Sequence, residues 1–385
     1  MKCICWIMLI TSIISSAPLS VAALNDKIDS IMNEVVESNA PGCNVGIIHQ
    51  GKYIHKSGYG LSNLELETPL DGSQVHRMGS VSKQFTAMAV QLLANEGKID
   101  LDADIHTYLP ELRAYEGKVT VRAMLGHFSG MGDYDLITTA PGDEANEKSV
   151  NLTSVAGGPF RLGNEDYLTI REFYDVVSTV SLAIPPEQEF QYSNLAYFLL
   201  SILVEKVSGQ SLRDYSEQAI FKPLGMTSTF FSDDPVEIVN NRAYGYTRNS
   251  AGEYVTDMTN LFWVGDGGLH TNLDDMLIWN NHFYQPKLTA QPAQFMAMFN
   301  TPNSNFEAAP NVFYANGQFV GTQKNSLEVF SHSGGWLGTY TYFARYPELN
   351  LSLAWMCNDV SNDALNDALN KVRDVAIKSV QNIQN

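Results

Sequence analysis

The stretch Gly79-Ser80-Val81-Ser82-Lys83 lies at the start of a predicted helix. Apolar residues at helical spacing follow it over 85–93, and Asn95-Glu96-Gly97 is typical of a helix end. Residues three apart on a helix have Cβ atoms roughly 5–6 Å apart, so the Ser80 hydroxyl and the Lys83 amine should be neighbours. A partly desolvated amine can take the proton of a serine. The stretch therefore indicates a serine nucleophile with its base or, if the pair is a coincidence, an ordinary surface helix start.

The composition is that of an acidic globular protein. The chain has 385 residues, of which 44% are hydrophobic and 17% charged, enough for one large or two modest domains with a sizeable core. Its formal net charge of -18 would repel nucleic acids and anionic membranes. We therefore expect neither as a partner.

The first 23 residues have the pattern of an export signal. Lys2 supplies a short positive region, residues 4–14 are apolar, and Val21-Ala22-Ala23 is typical of a cleavage site. The apolar run is too short to span a bilayer as a stop-transfer helix. We predict a signal peptide over 1–23 and a periplasmic or secreted domain over 24–385, with no stable membrane insertion after cleavage. An uncleaved anchor is the alternative.

Two cysteines remain after that cleavage, Cys43 and Cys357, each in a strand-like segment. An oxidising compartment would permit a disulfide if the two strands are neighbours, and two buried free thiols are equally compatible with the sequence. Neither cysteine has the spacing of a metal site, and no histidine cluster indicates zinc. We predict no metal and no cofactor.

Strand patterns occupy both ends of the mature chain and helical patterns its middle, from about 119 to 285. This order predicts one antiparallel sheet built from both ends, with an inserted helical lobe. We place the sheet region at about 24–100 and 286–385 and the lobe at about 101–285. Residues 135–168 are polar and loop-rich, which predicts a lid or rim. The predicted strands are 44–49, 52–59, 327–332, 339–346 and 351–357.

Two further segments can contribute side chains to the same cleft. Gln191-Tyr192-Ser193-Asn194 precedes a predicted helix, so its side chains can project from a turn. A lysine ammonium beside a tyrosine favours the phenolate, which makes Tyr192 a candidate base. His332-Ser333-Gly334-Gly335 ends a predicted strand, and its glycines permit close approach of a backbone or a substrate. Tyr314-Ala315-Asn316 shares the Y-x-N spacing but lacks the turn and the helix, so we predict a structural role for it.

The three segments, taken in this order, resemble the motifs of the penicillin-recognising serine hydrolases. The motifs are Ser80-x-x-Lys83, Tyr192-x-Asn194 and His332-Ser333-Gly334, and the flanking segments 125–131, 222–226 and 267–269 agree as well. The chain is most similar to the branch that contains class C β-lactamases, D-alanyl-D-alanine carboxypeptidases, D-aminopeptidases and related esterases. The similarity covers about residues 26–370, nearly all of the mature chain.

The resemblance implies a fold and a reaction mechanism. The fold is α+β of the β-lactamase/transpeptidase type, with a five-stranded antiparallel sheet flanked by helices and an inserted all-helical lobe. The active site would lie between the sheet and the lobe. Ser80 would be the nucleophile, and Lys83 and Tyr192 would share the proton transfer, either of them being the acylation base.

The resemblance also implies how a substrate would be held. The backbone N–H groups of Ser80 and Gly335 would form an oxyanion hole. β-Lactamases of this branch usually carry a lysine where this chain has His332. A histidine, whose unperturbed pKa is about 6.5, is a weaker anchor for a substrate carboxylate at neutral pH. The residues implied to bind substrate are Asn194, His332, Ser333 and Gly334.

These features point to a serine hydrolase that forms an acyl-enzyme with a small molecule or peptide carrying a D-amino acid or an ester. We expect a D-alanyl-D-alanine carboxypeptidase or another D-amino-acid peptidase. The alternatives are a carboxylesterase with the same Ser-Lys-Tyr site, a weak class C-like β-lactamase and a catalytically silent binding or scaffold protein. A cationic anchor for a carboxylate would favour the peptidase, and an apolar acyl pocket the esterase.

Overall fold

The structure is a computed structural model that describes residues 21–138, 150–152, 168–234, 236–260, 264–323 and 326–384. Residues 1–20 of the predicted signal peptide and most of the predicted lid or rim over 135–168 lie outside these ranges. None of the helices within the described ranges combines the length and apolar character needed to cross a bilayer. The helices are α1 (Val21–Asn33), α2 (Lys83–Asn95), α3 (Val121–Leu125), α4 (Ile170–Val177), α5 (Asn194–Ser208), α6 (Leu212–Ser216), α7 (Lys222–Leu224), α8 (Leu273–Tyr284), α9 (Pro292–Phe299) and α10 (Asp363–Gln384).

Seven of the strands form one sheet in the order β12-β13-β14-β15-β16-β1-β2, and every neighbouring pair is antiparallel. The remaining strands form small two- and three-stranded sheets. The strands are β1 (Cys43–His49), β2 (Lys52–Tyr59), β3 (Leu61–Asn63), β4 (Thr68–Pro69), β5 (His76–Arg77), β6 (Ile137–Thr138), β7 (Val150–Asn151), β8 (Phe230–Phe231), β9 (Tyr246–Arg248), β10 (Tyr254–Thr256), β11 (Leu269–Thr271), β12 (Val312–Ala315), β13 (Gln318–Thr322), β14 (Glu328–Trp336), β15 (Thr339–Tyr346) and β16 (Leu351–Cys357).

The predicted α+β class is confirmed, but the five strands that the resemblance implied are wrong, because the main sheet has seven. The two additional strands are β12 and β13, which form a hairpin at one edge. Asn316 and Gly317 join them with φ values of 47° and 84°. A two-residue Asn-Gly loop with positive φ at both positions is the preferred connection of a tight hairpin.

The sheet joins the two ends of the chain. β1 pairs with β16, and Cys43 lies directly opposite Cys357 in that register. The two cysteines form a disulfide, which decides between the two states that the sequence left open. Helices α1 and α10 cover one face of the sheet. Ile28 of α1 and Leu369 of α10 are completely buried there in one apolar cluster. The predicted limits of the sheet region and the helical lobe remain predictions.

The opposite face of the sheet packs against helices of the central region. Phe85 of α2 stacks on Trp279 of α8 with ring centroids 4.1 Å apart, and both side chains are fully buried. The long helix α5 is capped at its start by Ser193, whose hydroxyl accepts from Ala196 N. It ends at Gly209 in the left-handed conformation. The N-termini of helix α2 and helix α5 lie close together, and Lys83 Nζ at the start of α2 donates to Asn194 Oδ1 at the start of α5.

Candidate active site

Ser80 and Lys83 lie next to each other, as predicted. Ser80 belongs to one 3-10 turn, Gly79–Ser82, which leads directly into α2 at Lys83. Gly79 has a φ of +51°, a conformation that favours glycine and that turns the chain before the helix. Ser80 remains partly accessible, whereas Lys83 is completely buried and its Nζ donates to Ser80 Oγ at 3.2 Å.

The amine of Lys83 also donates to Asn194 Oδ1 at 2.6 Å and to the carbonyl oxygen of Asp266 at 2.7 Å. Burial lowers the pKa of Lys83 to about 8, and the negative charges of Asp266 and Asp133 oppose this shift. An amine with a pKa of about 8 is partly neutral near physiological pH, so it can accept a proton. The arrangement therefore suits Lys83 to deprotonate Ser80.

Tyr192 lies beside the same amine, and its surroundings favour the neutral phenol. Lys83 Nζ lies 4.9 Å from the centroid of the Tyr192 ring, so the ammonium faces the ring. Burial raises the pKa of Tyr192 well above its ordinary value, and the facing Ser80 hydroxyl only partly opposes this. Burial therefore favours the neutral phenol, and the share of Tyr192 in the proton transfer stays a prediction.

Asn194 is held by a residue that the sequence did not single out. Its Nδ2 lies 3.0 Å from both carboxylate oxygens of Asp133 and donates to them, while its Oδ1 accepts from Lys83. This fixes the orientation of the side-chain amide. Asp133 follows the Ser129-Gly130-Met131 turn, and a lone aspartate after a glycine-rich turn has no distinctive sequence pattern.

A second carboxylate, Asp266, was also missed. It is only 8% exposed, and its Oδ2 accepts from the Tyr134 hydroxyl at 2.6 Å. Burial raises the pKa of Asp266, and the charges of Lys83 and Arg77 oppose this increase. Asp266 directly precedes Gly267-Gly268-Leu269, the flank used for the resemblance. The sequence therefore indicated that this segment belongs to a motif. It did not indicate that Asp266 contacts Lys83, which is 183 residues away.

His332 lies on β14 and is almost completely buried. Its Nδ1 lies 2.5 Å from the Ser333 carbonyl oxygen and its Nε2 lies 3.0 Å from the Tyr314 hydroxyl. The carbonyl can only accept, so Nδ1 carries the hydrogen and Nε2 accepts from Tyr314. Burial and, secondarily, the charge of Lys83 lower the pKa of His332 to about 3. His332 is therefore neutral, and Tyr314, for which we predicted only a structural role, contacts this predicted site residue.

The glycines of β14 allow the strand to lie against the turn that carries Ser80. A Cβ atom at Gly334 would overlap the Met78 carbonyl oxygen, and one at Gly79 would come 3.0 Å from the Gly335 backbone nitrogen. Gly335 N is thus next to the Ser80 turn, as an oxyanion hole would require. The side chain of Ser333 is exposed and, by the alternation of a strand, points away from the face of His332 and Gly334.

The edge of β14 beside the site is open. The pairing of β14 with β13 ends at Ser331, opposite Phe319, whereas β14 itself continues to Trp336. The segment predicted to end a strand therefore lies inside a longer one. Unpaired backbone groups at a strand edge can bind an extended substrate. In the part of the chain that the structure describes, no cluster of His, Cys, Asp or Glu residues is arranged to hold a metal ion.

The chain is similar in sequence to several known proteins. Penicillin-binding protein 4* of Bacillus subtilis (strain 168) is 25% identical over 324 residues, which are 80% of this chain and 66% of that protein. A D-aminopeptidase of Gluconobacter oxydans (strain 621H) is 24% identical over 325 residues, 83% of this chain and 56% of that protein. The chain thus spans about two thirds or less of these relatives.

The fold has close structural counterparts. The crystal structure of D-amino acid amidase from Ochrobactrum anthropi SV3 in complex with L-phenylalanine amide matches with a TM-score of 0.70 and 22% identity, over 94% of this chain and 99% of that one. The model of the beta-lactamase family matches residues 24–377, a span that contains Ser80, Tyr192 and His332. The chain belongs to the beta-lactamase family.

Proposed function

We propose that the chain is a serine hydrolase that acts through an acyl-enzyme on peptides or amides of D-amino acids. In the first step Ser80 Oγ forms a bond to the substrate carbonyl carbon and passes its proton to Lys83 Nζ. The proton then goes to the departing amine as the carbon–nitrogen bond breaks, and water later releases the acyl group from Ser80. The 3.2 Å contact between Lys83 Nζ and Ser80 Oγ supports the first proton transfer.

The charge of the site favours a substrate with a free amino group. His332 is neutral, so it cannot pair with a substrate carboxylate as a lysine would. The negative charges of Asp266 and Asp133 instead act on Lys83, where they oppose the effect of burial on its pKa. A substrate ammonium would be attracted to this side of the site, and a carboxylate would be repelled. We therefore propose the aminopeptidase or amidase type rather than the carboxypeptidase type, in agreement with the D-aminopeptidase and D-amino acid amidase among the similar proteins.

The second candidate is an esterase, and it is supported by the aromatic surroundings of His332. The ring of Phe319 lies 5.1 Å from that of His332, and Phe190 lies 6.3 Å from Phe319. Such a lining suits an apolar acyl group, and ester hydrolysis needs no recognition of a charged terminus.

The test compares four substrates with wild-type protein: D-alanine p-nitroanilide, its N-acetylated form, its L-enantiomer and p-nitrophenyl acetate. We expect the unblocked D-substrate to be cleaved with a kcat/KM about tenfold or more above that of its acetylated form, since one desolvated charge contact is worth about 1.5–3 kcal/mol. Ser80→Ala should abolish turnover, and Ser178→Ala, at the half-buried C-terminal cap of α4, serves as the matched control. Cleavage of the ester alone would favour the esterase. No turnover of any substrate, together with no acylation by benzylpenicillin, would favour a silent scaffold.

We also propose that the chain is exported. The disulfide between Cys43 and Cys357 supports this, because such bonds persist in oxidising compartments. N-terminal sequencing of the mature protein should start at Leu24, and a start at Met1 would contradict cleavage.

A further inference from the structure

Asp266 makes two contacts, one with Lys83 and one with Tyr134. Its carbonyl oxygen accepts from Lys83 Nζ at 2.7 Å, and its carboxylate accepts from the Tyr134 hydroxyl at 2.6 Å. The residue is 8% exposed and lies in the turn before β11. Tyr134 in turn contacts the ring of Trp336 at the end of β14, with centroids 5.9 Å apart. Asp266 therefore connects the Lys83 amine, through Tyr134, to the end of β14.

The charges around Lys83 make Asp266 the dominant negative neighbour. Its carboxylate is the largest influence that opposes the effect of burial on this amine, and Asp133 is second. Arg77, whose Nε donates to the Gly267 carbonyl at 3.1 Å, has a positive charge that opposes the increase in the pKa of Asp266. The titratable groups that face Lys83 are Asp133, Asp266, the neutral His127 and His332, and the rings of Tyr192 and Tyr197.

We propose that Asp266 is a positioning residue for Lys83: its carbonyl holds the amine against Ser80, and its carboxylate, held by the Tyr134 hydroxyl, supplies a fixed negative charge to the same site. The proposal rests on the proposed function, in which Lys83 activates Ser80. Asp266 itself touches no reacting atom and acts only through Lys83.

The two roles can be separated by substitution. Asp266→Asn keeps the backbone carbonyl and nearly the same shape but removes the negative charge. The charge opposes the effect of burial, so without it the pKa of Lys83 should fall further, and the amine should be neutral at lower pH. Tyr134→Phe removes a hydrogen bond that stabilises the carboxylate. It leaves the charge of Asp266 in place, so the pKa of Lys83 should change less than in Asp266→Asn.

The measurement is the rate at which a fluorophosphonate reagent labels Ser80 as a function of pH, followed by intact mass. In this reaction the Ser80 oxygen–phosphorus bond forms, the phosphorus–fluorine bond breaks with loss of fluoride, and the serine proton goes to Lys83. The rate therefore reports on the activation of Ser80 without a natural substrate. We expect the acid limb of the profile to move down by about one pH unit in Asp266→Asn. Asp266→Glu, which restores the charge, should return it towards the wild-type position.

Asp102→Asn is the matched control, because Asp102 is an exposed carboxylate paired with Arg122 on the surface. It should leave the profile unchanged, and Ser80→Ala should remove labelling. A folded Asp266→Asn protein with an unmoved acid limb would overturn the proposal, even if its rate fell equally at every pH. If Asp266→Asn does not fold, an unmoved limb in Asp266→Ser, which also removes the charge, has the same meaning. If wild-type protein is not labelled at any pH, both this proposal and the proposed function fail.

Discussion

The shortest hydrogen bond of the Lys83 amine goes to Asn194, with 2.6 Å between Nζ and Oδ1. The Ser80 hydroxyl is farther away, at 3.2 Å. Asn194 thus acts on the amine, and its role in binding substrate stays a prediction. Because Asp133 holds the Nδ2 side of the same amide, the oxygen cannot rotate away from Lys83 without breaking two further contacts.

Asn194→Asp should keep Ser80 inactive up to a higher pH. The new carboxylate would face the Lys83 ammonium with one oxygen and the Asp133 carboxylate with the other, so it would raise the pKa of Lys83 by up to about one unit, reduced by the repulsion from Asp133. The acid limb of kcat/KM should move up accordingly, with a loss of up to about tenfold at neutral pH. The pH–rate profile with p-nitrophenyl acetate measures this. Asn63→Asp, on β3, is the control, and equal profiles for the two variants would count against the assignment.

Tyr314→Phe should destabilise the protein. The change removes the donor to His332 Nε2, which is buried, and an unsatisfied buried acceptor costs about 1–3 kcal/mol. Urea unfolding should show this decrease in the free energy of unfolding. Tyr340→Phe loses a hydroxyl that bonds to Asn366 in an exposed position and should cost less than half as much. Equal decreases in the free energy of unfolding would mean that the buried Tyr314–His332 hydrogen bond stabilises the protein no more than the exposed bond of Tyr340.

Gly334→Ala and Gly335→Ala should differ sharply although the glycines are neighbours. An added Cβ at Gly334 would overlap the Met78 carbonyl, whereas one at Gly335 would meet no atom within 4 Å. The first change should push β14 away from the Ser80 turn, lower the melting temperature and slow labelling of Ser80 by about 10² or more, because the oxyanion-hole donor moves. The second should leave the melting temperature unchanged. A melting temperature for Gly334→Ala equal to that of wild type would contradict the close approach.

Removal of the disulfide should lower the free energy of unfolding without changing any residue of the candidate active site. Cys43 and Cys357 close a loop with a sequence separation of 314. The loss expected for Cys43→Ala combined with Cys357→Ala is about 2–5 kcal/mol. Guanidinium unfolding of the variant, and of wild type with and without dithiothreitol, measures it. Coincident unfolding curves for oxidised and reduced wild type would show that the bond does not form.

The sequence was sufficient where local spacing carries the information. Ser80 and Lys83 are three residues apart on consecutive helical turns, so their contact follows from helix geometry. Cys43 and Cys357 lie in recognisable strands, but only the pairing of β1 with β16 shows that these strands are neighbours. The hairpin of β12 and β13 was missed although Asn316-Gly317 between two apolar runs is a strong hairpin signal.

The electrostatics of the site could not be read from the sequence. Asp133 and Asp266 reach Lys83 and Asn194 only through the tertiary fold, and neither belongs to a spaced motif. The neutral phenol that burial favours at Tyr192 could not be inferred from the sequence, because a motif indicates a nearby ammonium but not burial. His332 was identified as an unusual residue, but its neutrality depends on contacts with Tyr314 and with the Ser333 carbonyl.

The pairing of β1 with β16 has a consequence for how the molecule responds to a protease. The sulfur bridge across that pair makes the polypeptide a covalent ring from 43 to 357, with short tails carrying α1 and α10. One cut anywhere inside the ring opens it but releases no fragment. A nicked molecule should therefore migrate as one species on a non-reducing denaturing gel and as two after reduction.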